Sequence, residues 1–489
     1  MDILVFVLEA LVVLGCIIMG TRAGGVGVGL WGGVGTFLLV FVFREAPGSP
    51  PSAALAIILA VVTAAAMMQA AGGIDWMVAV AARVIQRHPK QITLIAPLTA
   101  FAFSVGAGTS NIIYPLLPVI YDVSYKNGIR PSRPLTLTVV QSGIALAASP
   151  VSAAMAAMVT LTEVAPYNLG LTQILAITLP ACLVGIVVTS LVVNRLGKDL
   201  DDDPQVQAKI AAGELAHWRS EGEKATTAVA ASSSGGGGAG SSGTRGSVKT
   251  GEPAGTAGGG ATSIPQPTYT ARGRNSALTF FAGVLAIVLL GLFPVLRPSF
   301  PVEGGDPVPI DMTTTIVMVM FVVGVLILFI GRPDVKTVPD MSVFKAGMIS
   351  AIALFGIAWL TATFISAHEE VIVDTIGGWV NNWVFIFALA VFLVAALTTS
   401  QSTATRTIVP IGLAAGLAPG IVTGMWAGAL GGVYTLPANG TQIAAANFDL
   451  SGTTKLGTKL VDHSFFVPML VLSVVTILVG SLIGAIFFR

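Results

Sequence analysis

The sequence predicts an all-α polytopic membrane protein, built from two inverted repeats that each contain a re-entrant hairpin and a Pro-broken helix. Apolar residues make up 54% of the 489 residues, and charged residues only 10%. Several uninterrupted apolar runs reach the roughly 20 residues that a helix needs to cross a bilayer. The same order of segments also occurs twice along the chain. These observations exclude a soluble enzyme and indicate an internal duplication.

Each half of the chain contains the same series: three spans, an interrupted segment, a span broken by proline and a final span. The first series covers about 3–20, 24–43, 53–72, 91–121, 134–162 and 171–194. The second covers about 277–295, 312–331, 345–366, 383–417, 421–447 and 465–488. We therefore predict a first transmembrane repeat at 1–198, a linker at 199–275 and a second transmembrane repeat at 276–489.

The linker is predicted to be a flexible cytoplasmic segment rich in Gly and Ser. It holds the acidic run Asp201 to Asp203, a run of Gly and Ser from Ser232 to Gly240, and scattered Gly, Thr and Pro. A segment of this composition cannot bury enough apolar surface to fold by itself.

The two interrupted segments decide the predicted topology. If each is a re-entrant hairpin, each half crosses the membrane an odd number of times, which inverts the second half. Basic residues then concentrate on one face of the membrane, and the positive-inside rule predicts that this face is cytoplasmic. The linker is then cytoplasmic, and both termini lie in the periplasm. The residues on the cytoplasmic face are Arg22, Arg83, Arg87, Lys90, Lys126, Arg130, Arg133, Arg195, Lys198, Arg332, Lys336, Lys345, Lys455 and Lys459. The opposite face holds Arg44, Arg297 and Arg489.

Residues 27–32, GVGLWG, match the G-x-G-x-x-G pattern of dinucleotide-binding folds. That pattern normally follows a strand, whereas this copy lies inside an apolar span. Gly25, Gly29 and Gly33 recur every four residues and would give one helix face a smooth stripe that a neighbouring backbone can approach. We therefore favour helix packing over cofactor binding.

Four irregular stretches at membrane depth are the most informative part of the sequence. Backbone leaves the helical pattern there only where it lines a cavity or is buried in protein. The stretches are 106–111, 148–152, 399–405 and 435–441. In the first, Thr109 or Ser110 can cap a helix that begins near Asn111. In the second, Pro150 suits the first position of a new helix, with Ser149 as its cap.

Helix starts of this kind predict an anion site. Each carries unpaired N–H groups and about half a positive charge, so four starts that meet near the midplane would bind a dianion such as a dicarboxylate. The alternative is that these serines and threonines only satisfy kinked helices or pack between them. The predicted substrate-binding residues are Thr109, Ser110, Asn111, Ser149, Pro150, Ser402, Thr403, Arg406, Pro437, Asn439 and Thr441.

Arg406 is the basic residue of this set, and an ionised side chain at membrane depth usually faces a cavity and a functional partner. A substrate carboxylate would be that partner; alternatively, Arg406 snorkels to the interface or bonds a backbone carbonyl. Glu9 is assigned to a scaffold face of the first helix. The remaining candidates are placed at solvated or interfacial span ends: Asp75, Asp122, Glu163, His88, His368 and His463. We predict no cofactor, no metal site and no enzymatic activity.

Several short motifs carry a family resemblance across both hydrophobic halves. In the first half they are AGGVGVG at 23–29, MQAAGGID at 68–75, residues 106–111 with LPVI at 117–120, and AASPVSAA at 147–154. In the second half they are FKAGM at 344–348, GIAWL at 356–360, SQSTAT at 400–405 and Leu436-Pro437. Together they resemble the anaerobic C4-dicarboxylate transporter family, known as Dcu, within the larger ion transporter superfamily.

The resemblance implies uptake, efflux or exchange of fumarate, succinate, malate and aspartate across the bacterial cytoplasmic (inner) membrane, including fumarate/succinate antiport. It implies a small-molecule dicarboxylate and membrane lipid as partners and no nucleic acid, with a homodimer as one option. The chain departs from the family in its longer linker and in Thr109-Ser110-Asn111, where relatives often have Thr-Gly-Asn.

Three other functions stay open at this point. The nearest is a Na⁺-coupled carboxylate or anion symporter of the same superfamily, which sodium-dependent uptake would reveal. An intramembrane enzyme acting on lipid-linked substrates should show paired acids or a His/Asp cluster at a membrane face. A sensor or interaction protein would depend on its linker. Intact transport after deletion of residues 225–265 would show that the linker is dispensable.

Overall fold

The computed structural model describes residues 3–23, 26–218, 269–301, 307–368, 384–436, 439–457 and 462–488. Within these ranges the protein is helical apart from loops and one short antiparallel strand pair, Ser299–Phe300 with Val308–Pro309. A large cluster of buried apolar side chains extends through both halves of the chain.

The helices of the first half follow the predicted order. They are α1 Ile3–Ala23, α2 Gly27–Phe37, α3 Ser52–Ala70, α4 Gly73–Arg87, α5 Ile92–Ala107, α6 Leu117–Lys126, α7 Ser132–Ile144, α8 Ala153–Thr162 and α9 Leu171–Val193. A π-helical turn, Leu38–Val42, extends α2, and 3₁₀ segments lie at Pro89–Gln91, Ser110–Leu116 and Ala145–Ala148. A shorter helix, α10, covers Pro204–Ala211.

The second half also contains interrupted helices, but no counterpart of α4 is among its described residues. Its helices are α11 Ala271–Leu292, α12 Met312–Gly331, α13 Ser342–Ala367, α14 Phe385–Thr398, α15 Gln401–Ala414, α16 Pro419–Ala429, α17 Gly440–Phe448 and α18 Phe466–Phe487. Short 3₁₀ segments lie at Pro294–Leu296, Val335–Asp340 and Leu430–Tyr434. The predicted spans and interruptions are thus present as helices and helix breaks, with ends shifted by a few residues.

Helix α4 is absent from the predicted spans. It turns by 74° from α3 at Gly72, whose φ is 81°. Its apolar residues lie on one face and its charged residues on the other, as in a helix that packs on a surface. A search for continuous apolar runs therefore overlooks it.

The described residues contain seven helical segments long and apolar enough to cross a membrane, or eight if the bent pair α3 and α4 is one span. The broken stretch Ser132–Thr162 counts as one of them, with 31 residues. Shorter apolar helices lie at Val5–Gly20, Gly27–Val42 and Phe385–Leu397. The protein is therefore a multi-pass α-helical membrane protein.

Glycines set the closest contact between α2 and α13. A Cβ at Gly29 would lie 2.1 Å from the carbonyl oxygen of Ile352, and one at Gly32 would lie 2.3 Å from the carbonyl carbon of Gly356. A Cβ at Gly33 would meet nothing within 4 Å. The glycine-rich stretch of α2 thus packs against another helix, as predicted. Gly33 does not lie on the packed face, and Gly25 lies outside the described residues.

The two halves interlock. The last helices of the halves, α9 and α18, pack on each other. Helix α15 packs on α8. Helix α17 packs on α6 and on the 3₁₀ segment Ser110–Leu116. Each interrupted segment therefore contacts the broken helix of the other half, which places the irregular stretches inside the protein.

The start of the predicted linker is packed rather than free. The buried Arg130 guanidinium donates to the Asp203 carboxylate, which also caps α10 by accepting from the Gln205 N–H at 2.9 Å. Leu200 and Val206 are buried against Tyr125. Residues 199–218 are therefore anchored, because Asp203 has a basic partner from another loop. The Ser232 to Gly240 run falls in residues 219–268, outside the described ranges.

Candidate functional site

Two chain reversals share one backbone form. We call them the first tip, Gly108–Asn111, and the second tip, Thr399–Ser402. Each opens with a left-handed residue, Gly108 at φ 67° and Thr399 at φ 48°. The next residue is extended and caps the following helical segment: the Thr109 hydroxyl accepts from the Asn111 N–H at 3.2 Å, and the Ser400 hydroxyl accepts from the Thr403 N–H at 3.2 Å. In each tip one helix thus ends and the next begins within two residues.

The left-handed position differs chemically between the tips. Glycine accepts this conformation without steric cost, whereas it costs other residues roughly 1–2 kcal/mol. A Cβ at Gly108 would also lie 2.7 Å from the Val151 carbonyl oxygen. Thr399 holds the strained conformation with a β-branched side chain, and strain of this kind is often found where surrounding structure fixes a functional backbone.

The first proline break differs from its prediction. Helix α8 begins at Ala153, and its cap is Ser152, whose hydroxyl accepts from the Met155 N–H at 3.0 Å. The Ser149 hydroxyl instead donates to the Val105 carbonyl at 2.6 Å, so it ties the break to α5. Pro150 lies in the turn before the helix and lines a separate apolar groove against α9 and α11. The prediction of Ser149 as cap and Pro150 as first helical residue is therefore wrong, because the chain needs three more residues to complete the turn.

A cavity of about 280 Å³ lies between the two tips. One wall is polar and comes from both tips and the start of α8: Gly108, Thr109, Ser110, Asn111, Ser152, Thr399, Ser400, Gln401 and Ser402. The other wall is apolar and comes from α3 and α13: Ile57, Ile58, Val61, Val62, Ala65, Val343 and Gly347. Pockets for drug-sized ligands run to roughly 300–1,000 Å³, so this cavity suits a smaller solute.

The charge in the cavity comes from backbone and not from side chains. None of the lining residues in the described structure is ionisable. Helices α8 and α15 and the 3₁₀ segment Ser110–Leu116 all begin at its polar wall. Their first N–H groups and their dipoles favour an anion there.

The second proline break lies outside this cavity. Asn439 caps α17 by accepting from the Thr441 N–H at 3.1 Å, and the Thr441 hydroxyl donates to the same oxygen at 2.9 Å. A Cβ at Gly440 would lie 2.7 Å from the Tyr114 hydroxyl oxygen, so this helix start faces the first interrupted segment. Three of the four irregular stretches therefore meet at one cavity. The fourth does not line it, and its Pro437 falls outside the described residues.

Arg406 lies farther along α15 and does not line the cavity. It is only 3% exposed, and its Nε and Nη2 atoms have no hydrogen-bond partner among the described residues. None of the ion pairs in the described structure includes it. The side chain therefore does not reach the surface, as snorkelling would require. Thr403 is also buried, and its hydroxyl donates to Ser400 at 2.9 Å.

Among the predicted residues, Thr109, Ser110, Asn111 and Ser402 line the cavity together. The prediction omitted Ser152, Ser400 and Gln401, which also line it. Ser152 had a detectable signal, because it directly precedes the apolar run of α8 as an N-cap does. No sequence signal distinguished Gln401 from its neighbours.

The fold defines the class of protein: a polytopic α-helical membrane protein whose interrupted helices surround a small cavity. The solved structure of the Alcanivorax borkumensis YdaH transporter has this fold. It aligns with a TM-score of 0.52 and 14% identity over 88% of this chain and 85% of its own.

Sequence comparison identifies the family. A family model described as anaerobic C4-dicarboxylate membrane transporter matches residues 5–488. The anaerobic C4-dicarboxylate transporter DcuB of Escherichia coli O6:H1 is 33% identical over 488 residues, which is 99% of both chains. The C4-dicarboxylate transporter DcuA of Wolinella succinogenes is 30% identical over 485 residues, 98% of this chain and 99% of its own. The chain therefore belongs to the anaerobic C4-dicarboxylate membrane transporter family and is a transporter, not an enzyme.

Proposed function

We propose that this protein exchanges C4-dicarboxylates such as fumarate, succinate, malate and aspartate across the bacterial cytoplasmic membrane by alternating access. Membership of the family and the names of its relatives support the substrate class. The observation that carries the mechanism is the cavity between the two tips, where three helix starts face an apolar wall.

The two walls of the cavity match the two chemical parts of the substrate. The carboxylates accept hydrogen bonds from the N–H groups and hydroxyls of the polar wall, while the carbon chain lies against α3 and α13. A hydrogen bond to a charged group contributes about 1.5–3 kcal/mol. The free energy of a few such bonds is reduced by the cost of ordering and dehydrating the substrate. The remaining binding free energy suits reversible binding.

Arg406 supplies the positive charge that a dianion needs. A buried ion without a partner is strongly unfavourable, so a buried guanidinium implies an anion that approaches it in some state of the protein. Arg406 lies on α15, the helix whose first residues line the cavity. In this mechanism the guanidinium attracts the dianion over a short distance without contacting it in the conformation described here.

Alternating access requires a moving part and a fixed part. We assign the two tips, the broken helices, α9 and α18 to a transport unit, and the helices α1 to α3 and α11 to α13 to a scaffold. The interrupted segments act as re-entrant hairpins, and the two halves as inverted repeats. The reciprocal packing of each interrupted segment on the other half's broken helix supports this arrangement.

Contacts between loops support the proposed sidedness. Arg130 donates to the Lys198 carbonyl, Arg133 pairs with Asp199, and Lys209 donates to the Leu450 carbonyl, so these loops share one face. That face is the one with many basic residues, which we propose to be cytoplasmic together with the linker, with both termini in the periplasm. The division into repeats at 1–198 and 276–489 belongs to the same proposal.

Counterflow in proteoliposomes tests the proposal. Vesicles loaded with unlabelled succinate should take up labelled fumarate without a sodium gradient, and empty vesicles should take up very little. Monocarboxylates inside the vesicles should not support uptake.

Two outcomes would contradict exchange. Sodium-driven uptake into empty vesicles would indicate a symporter of the same superfamily. Exchange itself would be overturned if the protein binds a C4-dicarboxylate but no C4-dicarboxylate supports counterflow.

A further inference from the structure

A second polar cluster lies outside the cavity, where three parts of the chain meet. It contains Glu9 of α1, Glu45 of the connection after α2, and His368 at the end of α13. One ligand atom from each of these side chains lies within 4.8 Å of the others. The relative exposure is 0% for Glu9 and 1% for His368, whereas Glu45 is half-buried. The prediction that His368 is solvated or interfacial is therefore wrong.

The cluster brings two carboxyl groups and one imidazole together without a basic side chain. The His368 Nε2 atom is hydrogen-bonded to a Glu9 carboxylate oxygen. Within the described ranges, no lysine or arginine forms an ion pair with either glutamate.

Two atoms of the cluster still lack partners. The second oxygen of Glu9 and the Nδ1 atom of His368 are both buried without a hydrogen bond to any described residue. Phe6 and Phe364 pack against the imidazole at ring-centroid distances of 5.1 Å and 4.8 Å. Burial of polar atoms without hydrogen-bond partners under an aromatic cover is costly, and a bound ligand such as a cation would remove that cost.

We propose that Glu9, Glu45 and His368 form a binding site for a divalent transition-metal ion of the zinc type. Zinc takes imidazole nitrogen and carboxylate oxygen ligands at about 2.0–2.2 Å, and it often has three protein ligands with an open position. The half-buried Glu45 gives the ion a path of entry. This site runs against the prediction of no metal, which rested on sequence spacing, because its ligands are separated by most of the chain.

The bound ion would join three elements of the scaffold. Glu9, Glu45 and His368 lie on α1, after α2 and at the end of α13, and α2 already packs tightly on α13. The metal would therefore stabilise the fixed part of the protein, without contact with the solute cavity.

The test uses full-length purified protein in detergent, first treated with a chelator and then equilibrated with Zn²⁺ alone. Metal content after gel filtration and the midpoint of thermal unfolding are measured for the wild type, Glu9→Gln, Glu45→Gln and His368→Ala. Glu163→Gln, in the half-buried loop after α8, is the matched control. We expect about one zinc per wild-type chain and a higher unfolding midpoint with zinc than with magnesium.

The variants should separate a metal site from a simple hydrogen-bonded pair. Loss of a hydrogen-bond partner of a metal ligand already weakens metal binding by ~10-fold, so loss of a ligand itself should weaken zinc binding by at least that much. Glu163→Gln should bind zinc as the wild type does. Because Glu45 is half-buried, Glu45→Gln should fold even if the two buried variants do not. Wild-type protein that retains no zinc and shows no zinc-dependent midpoint, or equal binding by Glu45→Gln, would overturn the proposal.

Discussion

Arg406 shows how one residue can connect sequence to mechanism. Its charge was visible in the sequence, but the structure adds that it is buried, lacks an ion-pair partner in the described part of the chain, and stands back from the cavity. In the proposed mechanism, the partner of this side chain is the substrate anion.

Replacement of Arg406 by alanine should weaken succinate binding. Because Arg406 attracts the dianion without contacting it, its loss should cost less than the roughly 1.5–3 kcal/mol of a direct charge-assisted hydrogen bond, and the affinity should fall by up to about 10-fold. The KM for succinate counterflow measures it, with Arg87→Ala, an exposed arginine on α4, as control. An unchanged KM and rate in Arg406→Ala would show that the guanidinium does not act on the substrate.

Gly108 is the second residue whose identity the structure explains. Gly108→Ala should impair transport and lower stability, because it combines left-handed strain with a contact 2.7 Å from the Val151 carbonyl oxygen. Gly416→Ala is the matched control: Gly416 has φ 85°, and a Cβ there would meet nothing within 4 Å. The control should show only the strain of about 1–2 kcal/mol.

Counterflow rate and thermal unfolding of both variants measure this difference. If Gly108→Ala and Gly416→Ala behave alike, the close approach of the first tip to Val151 is not important for function.

At the scale of helices, glycines decide how closely the scaffold packs. Gly29 and Gly33 are one turn apart on α2 and look equivalent in the sequence. The structure separates them, since Gly29 faces the backbone of α13 and Gly33 faces open space.

Gly29→Ala should therefore destabilise the protein, and Gly33→Ala should not. A methyl group 2.1 Å from the Ile352 carbonyl oxygen must push α2 away from α13, and overpacking of this kind typically costs about 1–3 kcal/mol. Thermal unfolding in detergent compares the two variants. A loss of stability as large in Gly33→Ala as in Gly29→Ala would contradict the packing described here.

For the whole molecule, loops that are distant in sequence hold the two halves and the linker start together. Burial alone would raise the pKa of Asp203, but its hydrogen bond from Arg130 and its capping bonds outweigh burial and lower that pKa. A lowered carboxylate pKa stabilises the folded state above the ordinary aspartate pKa near 3.9, and this stabilisation is lost as the pH falls through the folded-state value.

Asp203→Asn should loosen residues 199–218 at neutral pH, where the carboxylate is charged. Loss of this buried bond to Arg130 costs about 1–3 kcal/mol, so trypsin should cleave after Lys209 roughly 5–150-fold faster. The exposed Asp202→Asn serves as control. In the wild type, the protection seen at neutral pH should weaken only below about pH 4, as measured with an acid-active protease. Equal trypsin cleavage in both variants would show that the Arg130 pair does not anchor the segment.

The sequence was sufficient for the order of the apolar spans, because apolar runs and polar interruptions are local properties of the chain. It also placed the two tips, since glycine, serine and threonine at membrane depth need a buried or cavity-lining role. It could not assign Ser152 as the cap in place of Ser149, because both are plausible caps and only the length of the turn distinguishes them. Helix α4 was missed for a related reason, since its apolar residues lie on one face only.

The sequence by itself determined that this chain is a multi-pass membrane protein with polar interruptions at membrane depth, because water-free surroundings impose strict local demands on backbone and charge. Only the tertiary structure decided which interruptions meet. It placed both tips and the start of α8 around one cavity, set Gly440 against Tyr114, and paired Glu9 with His368. The physical reason is that these contacts join residues from opposite halves of the chain, and their positions depend on how the helices pack.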